Sequence, residues 1–532
     1  MADLLLLQAD DAEELAGAGE ADSEAGQSGP RPSVSVQDLR LKFPGDTPML
    51  FRDLSFQASA GEKVLLLGPS GCGKSTLLQV LSGMIPRVIE IPMKCSEQII
   101  PASWAYVFQD PDTQFCMPFV DEELAFVLEN LQVARDDMAG RMKDALDAVG
   151  LQLPELHTPI SSLSQGMKQR LALASALLLE PEVLFLDEPS ALLDPEGRKQ
   201  IWEAVRSVSA DRTLVIVEHR IEEILHDVNR VILFGPDGEI VGEGRPEEVF
   251  IKYRKELQQY GIWHPGVWED YRAAASERSA VSRGFSSVSE GPAVGVNPGA
   301  GESPVLALSQ FQVLRKQRPV VTVEEASLYP GDFTAVIGHN GAGKSSLLLG
   351  LMGLLPCTGD YRLGGEPVVF GKKRRERKMR EHALRRIGFV FQNPELQFVS
   401  ETVLDEVLYS LVVDGRSQEE AIQEAHECLA HFGLSGMEGR HPYQLSMGQK
   451  RRLSVATAMV RKPEVLLLDE PTFGQDARNT FGILELCQEL VQAGTAILMV
   501  THEMDIAQQV AREIWEIGEG RLLSRRKPEV DR

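Results

Sequence analysis

The sequence is poor in cysteine, in aromatic residues and in long apolar runs. Six cysteines are scattered through 532 residues, and none has CxxC spacing. This argues against a zinc ribbon, an iron–sulfur cluster and a disulfide scaffold, and it fits a reducing cytosol. No segment approaches the roughly 18 consecutive apolar residues that a membrane-spanning helix needs. Met1–Leu7 has an apolar stretch without a basic flank, so it does not predict a secretory signal.

Positive charge is also in deficit. The chain has 54 Lys and Arg against 78 Asp and Glu, a formal charge of −24. Such an acidic chain is a poor general ligand for phosphate backbones, which argues against a nucleic-acid-coating role. The hydrophobic fraction of 43% and the charged fraction of 25% are ordinary for soluble proteins. The length exceeds what one core normally holds, so we expect several domains.

Two segments have compositions that cannot build a core. Residues 1–33 hold eight acidic side chains and one Arg, and we predict a disordered acidic tail. Residues 273–303 are rich in Ser, Gly, Ala and Pro, which predicts a flexible linker. Tyr260–Trp268, just before the linker, contains two of the five Trp. This stretch is either an extension that packs on the first domain or a contact for a partner.

The two remaining blocks, 34–272 and 304–532, repeat each other. Five matched motifs carry the repeat: GPSGCGKST and GHNGAGKSS, VFQDPDTQF and VFQNPELQF, LSQGMKQRLALA and LSMGQKRRLSVA, EVLFLDEPS and EVLLLDEPT, and VEH and VTH. A repeat of this length predicts a duplicated domain. Between the first two motifs the second block is longer by 13 residues, where it carries the basic run 372–378. This run is either a solvated helix face or a contact for anionic lipid headgroups.

Short apolar runs that alternate with helical patterns predict the fold class. Strands are expected at 64–67, 183–186 and 214–217, and again at 335–337, 465–468 and 496–500. Strands that alternate with helices imply a parallel sheet in an α/β domain. We therefore predict two tandem P-loop NTPase domains, each with a mainly parallel sheet and a helical subdomain.

Each block carries a phosphate-binding loop of the form GxxxxGKS after its first predicted strand. Backbone N–H groups of such a loop wrap phosphate, and the following helix points its positive end at the same anion. Lys74 and Lys344 would reach the β- and γ-phosphates of ATP, and Ser75 and Ser345 would hold Mg²⁺. The predicted nucleotide-binding residues are Gly68, Pro69, Ser70, Gly71, Cys72, Gly73, Lys74, Ser75 and Thr76, with Gly338, His339, Asn340, Gly341, Ala342, Gly343, Lys344, Ser345 and Ser346.

Paired carboxylates end one predicted strand in each block. Asp187 and Asp469 stand where a carboxylate commonly holds the magnesium shell. Glu188 and Glu470 follow directly and could accept a proton from the attacking water. We therefore predict metal ligands at the two aspartates and catalytic bases at the two glutamates.

The order of motifs resembles the ATP-binding cassette (ABC) ATPases, twice over. The motifs in question are the P-loop, a glutamine after a strand, LSxG, Asp-Glu and a histidine. In that family two cassettes face head to tail, and the signature of one covers the ATP of the other. The resemblance implies a first site of Lys74, Ser75, Gln109, Asp187, Glu188 and His219 with Ser446 and Gly448. It implies a second site of Lys344, Ser345, Gln392, Asp469, Glu470 and His502 with Ser164 and Gly166.

The resemblance also assigns roles beyond phosphate binding. Gln109 and Gln392 would complete the Mg²⁺ shell, and His219 and His502 would contact the γ-phosphate. Phe43 would stack on adenine in the first cassette, whereas the second offers only Leu314 nearby, with Phe311 off register. The signatures depart from the family pattern, because Gln165 and Met447 replace its second Gly and Met167 replaces its usual Gln.

The segments after both glutamines resemble the energy-coupling-factor (ECF) importers, and fused twin cassettes of that group resemble the ATPase of thiamine-precursor (hydroxymethylpyrimidine) uptake. This implies an ATPase on the cytoplasmic face of the membrane, with a transmembrane scaffold subunit and a small membrane subunit that binds a vitamin or metal ion. Phe115, Phe119 and Phe398 would receive scaffold helices, unless they are buried in the helical subdomain. The alternative is a soluble twin-cassette ATPase of translation or DNA repair, but zinc-type CxxC pairs are absent and the linker lacks a long charged helix. No nucleic-acid partner is expected.

Overall fold

A computed structural model describes residues 32–45, 48–191, 193–274, 303–370, 373–413 and 415–529. The predicted linker lies almost wholly outside these ranges, and so does nearly all of the predicted acidic tail. The chain divides into two compact units. The first extends to Tyr271 and includes Asp476–Arg478, and the second comprises the rest. Within the described residues, no helix combines the length and apolarity that crossing a bilayer requires.

The first unit alternates strands and helices after an initial antiparallel pair. Its strands are β1 (Pro32–Leu41), β2 (Phe51–Ser59), β3 (Lys63–Leu67), β4 (Met93–Lys94), β5 (Glu97–Ile99), β6 (Trp104–Val107), β7 (Val183–Asp187), β8 (Thr213–Val217), β9 (Arg230–Phe234) and β10 (Ile240–Gly244). Its helices are α1 (Lys74–Leu81), α2 (Met84–Arg87), α3 (Val120–Asn130), α4 (Arg135–Ala148), α5 (Gln165–Leu177), α6 (Pro195–Val208), α7 (Pro246–Lys252) and α8 (Arg254–Tyr260). Short 3₁₀ turns occur at Pro111–Thr113, Ile160–Ser162 and Leu225–Asp227.

The central sheet of this unit is parallel except at one edge. Its order is β10-β9-β3-β8-β7-β6, and β10 alone runs antiparallel to its neighbour. Strand β3 is a continuous apolar run because both sheet faces are covered. Leu65 packs into a core shared with the helical segment α3–α5. Val64 and Leu66 point to the other face and pack into a core shared with α1 and the β1–β2 pair. The predicted strands and the mainly parallel sheet are confirmed.

The second unit repeats this plan. Its strands are β11 (Leu306–Arg315), β12 (Arg318–Leu328), β13 (Phe333–Ile337), β14 (Cys357–Leu363), β15 (Glu366–Pro367), β16 (Ile387–Val390), β17 (Val465–Asp469), β18 (Ala496–Val500), β19 (Glu513–Gly518) and β20 (Arg521–Arg526). Its helices are α9 (Lys344–Leu351), α10 (Arg374–Leu384), α11 (Val403–Val413), α12 (Gln418–His431), α13 (Met447–Met459), α14 (Ala477–Gln492) and α15 (Met504–Val510), with 3₁₀ turns at Pro394–Leu396 and Pro442–Gln444.

The core of the second sheet has the same strand order as the first. Strands β20-β19-β13-β18-β17-β16 follow one another, and β19 and β20 are antiparallel. The antiparallel strands β15, β14, β11 and β12 join this sheet through one pair, Thr322 with Arg521. In both units the phosphate-binding loop, the strand-end carboxylates and the histidine therefore follow neighbouring parallel strands, whose carboxyl ends lie at one edge.

Two aromatic predictions have definite outcomes. Phe398 is only 8% exposed, so its prediction as an exposed groove residue is wrong and the alternative of burial holds. Phe115 is half-buried against the core of the first helical segment, and Phe119 stacks on His157 with ring centroids 4.0 Å apart. In the Trp-rich extension, Trp263 is 1% exposed, which agrees with an extension packed on the first domain.

Candidate functional site

The phosphate-binding loop of the first unit requires glycine at defined positions. It links β3 to α1, with Gly71 at φ 84° and Gly73 at φ 102°, a left-handed region that only glycine adopts freely. A Cβ at Gly73 would also lie 2.8 Å from the ring of Phe51. The second loop repeats this, with Gly343 at φ 106°. The loop backbone and the start of the helix therefore form a concave cradle for an anion.

The lysine of each loop is held back within that cradle. Lys74 is 5% exposed, and its Nζ donates to the carbonyl oxygens of Gly68 at 2.8 Å and Pro69 at 2.9 Å. Lys344 makes the equivalent bonds at 2.7 and 3.0 Å. Neutral carbonyl groups satisfy these ammonium donors without cancelling their charge. The charge thus remains available to a phosphate group.

A serine and an aspartate form the predicted cation-binding pair. Ser75 Oγ donates to Asp187 Oδ1 at 2.8 Å, and Ser345 Oγ donates to Asp469 Oδ1 at 3.1 Å. Burial raises the pKa of Asp187, and it raises the pKa of Asp469 to about 6. A buried carboxylate beside a hydroxyl supplies the hard oxygen donors that Mg²⁺ prefers. The residues present therefore fit a magnesium ion.

The two aspartates differ in one hydrogen bond that the sequence analysis missed. Tyr106, in β6, donates its hydroxyl to Asp187 Oδ2 at 2.8 Å. Phe389 occupies the matching place in β16 and has no hydroxyl. The signal was visible in the alignment of the two copies, as WAYVFQ against IGFVFQ.

Each predicted base is held between a glutamine and a histidine. Glu188 Oε2 accepts from Gln109 Nε2 at 3.0 Å, and its Oε1 lies 2.9 Å from His219 Nε2. In the second unit, Glu470 is 2.8 Å from Gln392 Nε2 and 2.7 Å from His502 Nε2. The structure thus brings together three side chains of each unit that the sequence placed far apart. The amide nitrogens of both glutamines contact the glutamates, so Mg²⁺ ligation by their oxygens stays a prediction.

Both glutamates have a strained backbone, and the pKa of Glu188 is also shifted. Its φ is 48°, as is that of Glu470, and such left-handed residues concentrate at functional sites. Burial favours the protonated form of Glu188, but the hydrogen bond and charge of His219 outweigh it, so the pKa of Glu188 is lowered. Burial likewise opposes the charged form of His219, but Glu188 prevails and the pKa of His219 is raised. The pair therefore favours a carboxylate that can accept a proton.

A third carboxyl group of the first unit was not predicted as functional. Glu218 is 1% exposed and follows β8. It accepts hydrogen bonds from Ser190 Oγ at 2.9 Å and from the backbone N–H of His219 at 2.9 Å. Burial and the nearby charge of Glu188 raise the pKa of Glu218 to about 7. The matching residue of the second unit is Thr501.

The signature serines begin helices. Ser164 is the N-cap of α5, and its side chain accepts from the backbone N–H of Met167 at 3.3 Å. Ser446 caps α13 in the same way through Gln449. Both serines therefore have a structural role within their own units. Their assignment, and that of Gly166 and Gly448, to the opposite nucleotide stays a prediction.

The signature helix of the second unit also carries a buried cation. Arg451 is 2% exposed and donates to the carbonyl oxygens of Phe391 at 2.6 Å and Gln392 at 2.5 Å. Burial lowers the pKa of Arg451 to about 10. In the first unit Gln169 stands at this place and donates to Phe108 at 3.0 Å. The glutamine loop of the second unit is thus attached by two bonds to a charged group.

The predicted adenine contacts differ between the units. Phe43 is half-buried against the core of the first unit, and its role against adenine stays a prediction. Phe311 is fully buried and packs against Tyr361, so it is a core residue, as its register indicated. The β11–β12 hairpin instead borders an open cavity of about 720 Å³, which is lined by Leu314, Arg315, Lys316, Arg318, Val320, Leu355 and Pro356. This lining contains no aromatic side chain.

Comparison with known proteins gives matches that cover both units. The family described as ABC transporter matches residues 51–191 and 324–473. A Bacillus subtilis protein, provisionally named HMP/thiamine import ATP-binding protein YkoD, is 36% identical over 90% of this chain and 89% of its own. A Streptococcus pneumoniae protein, provisionally named an ABC transporter ATP-binding protein, is 33% identical over 92% of this chain and 90% of its own.

Among solved structures, cbiO1 from Clostridium perfringens, described as part of the ABC transporter complex cbiONQ, aligns with a TM-score of 0.39. The two are 27% identical over 43% of this chain and 90% of that chain. The family match spans more than half of the sequence and falls on both phosphate-binding loops and both Asp-Glu pairs. The chain therefore belongs to the ATP-binding cassette transporter ATPases and carries two cassettes in one polypeptide.

Proposed function

We propose that this chain is the ATP-hydrolysing subunit of an ECF-type importer for a vitamin or vitamin precursor, with hydroxymethylpyrimidine as the first candidate and a metal ion as the other cargo class. The observation that carries this proposal is the relative named for HMP/thiamine import, which aligns over 90% of the chain. The motifs of both cassettes supply the ATPase chemistry. The chain would act at the cytoplasmic face of the membrane as a peripheral subunit.

The residues of each cassette divide the work of hydrolysis. The loop glycines and the lysine hold the phosphates, and Ser75 with Asp187, or Ser345 with Asp469, would hold Mg²⁺. When bound, this ion supplies positive charge to the β- and γ-phosphate oxygens. His219 lowers the pKa of Glu188, and each glutamate contacts its histidine, so each can take the proton of an attacking water. His219 and His502 keep the carboxylate oriented.

Replacing both glutamates by glutamine tests this division of work. Removing a general base typically costs about 10² to 10⁴ in rate. We expect the Glu188→Gln, Glu470→Gln double variant to bind ATP but to release phosphate at a rate lower by this factor. The amide is isosteric, so the loops and the folded chain should be retained. Steady turnover near the wild-type rate would contradict the assignment of the bases.

We further propose that the two cassettes pair head to tail, so that Ser446 and Gly448 complete the site built on Lys74. The serine hydroxyl, the backbone N–H groups and the helix dipole would then face the γ-phosphate. The change Ser446→Arg should abolish nucleotide trapping at the Lys74 site and spare the Lys344 site. Ser164→Arg is the matched control and should do the reverse. Loss at the same-cassette site in either variant would refute the crossing.

The second cassette offers an apolar surface for the transmembrane scaffold subunit. After its glutamine loop, Leu396 is 72% exposed, Val399 71% and Tyr409 59%. The matching residues of the first cassette are Thr113, Cys116 and Phe126, so the two cassettes differ in polarity at Leu396. Val399 is hydrogen-bonded to Glu406, which precedes Tyr409 by three residues in α11, and exposed apolar side chains that lie together mark interaction sites. We propose that a cytoplasmic helix of the scaffold docks here by its apolar face.

Charge placed on this surface should uncouple the ATPase from its partner. We expect the Leu396→Glu, Val399→Glu variant to lose co-purification with the scaffold while the isolated chain keeps its basal ATPase. Ile251 and Leu523, which are 80% and 60% exposed, provide matched controls when changed to Glu. Equal loss in the controls would refute the docking site.

Uptake measurements test the substrate. Cells that lack this chain should fail to accumulate labelled hydroxymethylpyrimidine, and the wild-type chain should restore uptake. The Glu188→Gln, Glu470→Gln variant should not restore it. If hydroxymethylpyrimidine uptake is unchanged while uptake of a divalent metal ion is lost, the vitamin-precursor assignment is wrong. ATPase activity of the purified chain would remain in either case.

A further inference from the structure

Helix α10 of the second cassette is strongly basic although the chain is strongly acidic. From Lys373 to Arg385 the sequence holds seven Lys or Arg and two Glu, which gives a local formal charge of +5 in a chain of −24. The first cassette has no counterpart, because the two motif offsets differ by 13 residues in this region. The helix is therefore a local addition to the cassette rather than part of the shared ATPase framework.

Four basic side chains in the first half of α10 do not serve the fold. Arg374, Arg375, Arg377 and Lys378 are all exposed, and within the described part of the chain no ion pair joins any of these four to a carboxylate. The helix is attached to the second unit on its other side, where Ala383 is buried. A structural role for such a charge density would require acidic partners across the contact. These four cations instead face solvent.

The geometry of the helix suits a planar surface. Arg374 and Lys378 are four residues apart, so they lie on one row of the helix, and Arg375 lies on the next row with Met379. Met379 is 48% exposed. A row of cations beside an apolar side chain is the arrangement of helices that lie in a membrane interface. The 11 residues of α10 span roughly 16 Å.

The basic charge of α10 can attract an anionic surface although the chain as a whole is acidic. The Debye length at physiological ionic strength is about 8 Å, shorter than the helix, so a surface in contact with α10 feels the local charge. Anionic headgroups attract juxtamembrane Lys and Arg and would repel most of the remaining acidic surface. Binding through α10 would therefore also orient the cassette.

We propose that α10 is a docking surface for anionic phospholipid headgroups, which holds the second cassette against the membrane independently of any protein partner. The inference goes beyond the proposed transport function, because it concerns the isolated chain and does not depend on the cargo. The lipid phosphates would be bound by Arg374, Arg375, Arg377 and Lys378, and Met379 would enter the headgroup layer.

Vesicle sedimentation with the full chain tests the proposal. We expect the protein to sediment with vesicles of equal parts phosphatidylcholine and phosphatidylglycerol, and not with phosphatidylcholine alone. Each basic residue near an anionic surface is worth about fivefold in partitioning. The variant Arg374→Gln, Arg375→Gln, Arg377→Gln, Lys378→Gln should therefore lose most of its binding, and its basal ATPase rate should be unchanged.

A charge-matched control separates the contribution of α10 to vesicle binding from the effect of net charge. The exposed residues Lys94, Lys143, Lys199 and Lys255 of the first unit, changed together to Gln, alter the net charge equally and should leave vesicle binding intact. Equal losses in the two variants would overturn the proposal. So would a wild-type chain that ignores anionic vesicles but binds polyglutamate through α10, because the partner would then be an acidic polypeptide.

Discussion

Replacing Glu218 by glutamine is expected to remove a pH-dependent cost to the stability of the first cassette. Glu218 is buried near Glu188, the proposed base, and has a pKa of about 7 in the folded chain against an ordinary 4.5. A carboxyl whose folded pKa is raised contributes stability that is fully present below the unfolded pKa. That stability is lost as pH rises through the folded pKa. Stability attributable to Glu218 therefore falls between pH 4.5 and 7.

The size of the stability change follows from the pKa shift of Glu218. Each pKa unit is worth about 1.4 kcal/mol, so the whole change is about 3 kcal/mol, of which about 2 kcal/mol falls between pH 5.5 and pH 8. Glutamine is isosteric with the protonated acid. Its Oε1 can still accept from the N–H of His219, and its amide can donate to Ser190, whose hydroxyl rotates to accept. The variant should thus match the wild type in acid and exceed it in stability above neutral pH.

Native-state hydrogen exchange of the strand Thr213–Val217 would measure the free energy of opening in the full chain at pH 5.5 and at pH 8. The free energy of opening should fall with pH more steeply in the wild type than in Glu218→Gln. Glu218→Thr copies the second cassette, where Thr501 stands, and should lose the same steepness even if it is less stable overall. Parallel pH dependences for wild type and both variants would refute the reasoning.

Three further outcomes are expected. Gly73→Ala should weaken nucleotide binding more than Gly71→Ala. Both changes impose about 1 to 3 kcal/mol of backbone strain, but only the new Cβ at position 73 meets another side chain, the ring of Phe51 at 2.8 Å. Equal nucleotide affinities of the two variants by calorimetry would contradict this. Tyr106→Phe should cost about 1 to 3 kcal/mol in urea unfolding, because the buried carboxylate of Asp187 loses a donor; an unchanged midpoint would contradict it. Trp263→Ala should lower the free energy of unfolding by about 3 to 5 kcal/mol, and Trp263→Phe should lower it by less. Similar thermal midpoints for the wild type and both variants would show that Trp263 does not anchor the extension.

The sequence predicted those parts of the fold that local patterns determine. The strand that begins at Val183 was recognisable because apolar residues fill both of its faces. The loop at Gly68 was recognisable because its glycines adopt backbone conformations that few other residues adopt. Duplication strengthened both inferences, since two copies of each motif rarely arise by chance. The resemblance placed Glu188 and His219 in one site but did not predict their contact, because the two residues follow different strands.

What the sequence could not predict depends on packing between distant segments. Phe115 and Phe398 occupy the same motif position, yet whether such a ring is exposed depends on the helices above it, and the groove prediction failed at Phe398. The functional interest of Glu218 was missed because a carboxylate is normally assumed to face water. Only the ends of β7 and β8, brought side by side, show that it lies against Glu188.

The buried guanidinium of Arg451 makes the attachment of the signature helix differ between the two cassettes. It ties the start of the signature helix to the loop of Gln392 by two charged bonds, where the first cassette has one neutral bond from Gln169. Both cassettes also pair a lysine of this helix with a carboxylate just after the glutamine, Lys168 with Asp112 and Lys450 with Glu395, so the difference is confined to the residues around Phe108 and Phe391. We therefore expect a displacement of Phe391 and Gln392 to move α13 more than a displacement of Phe108 moves α5.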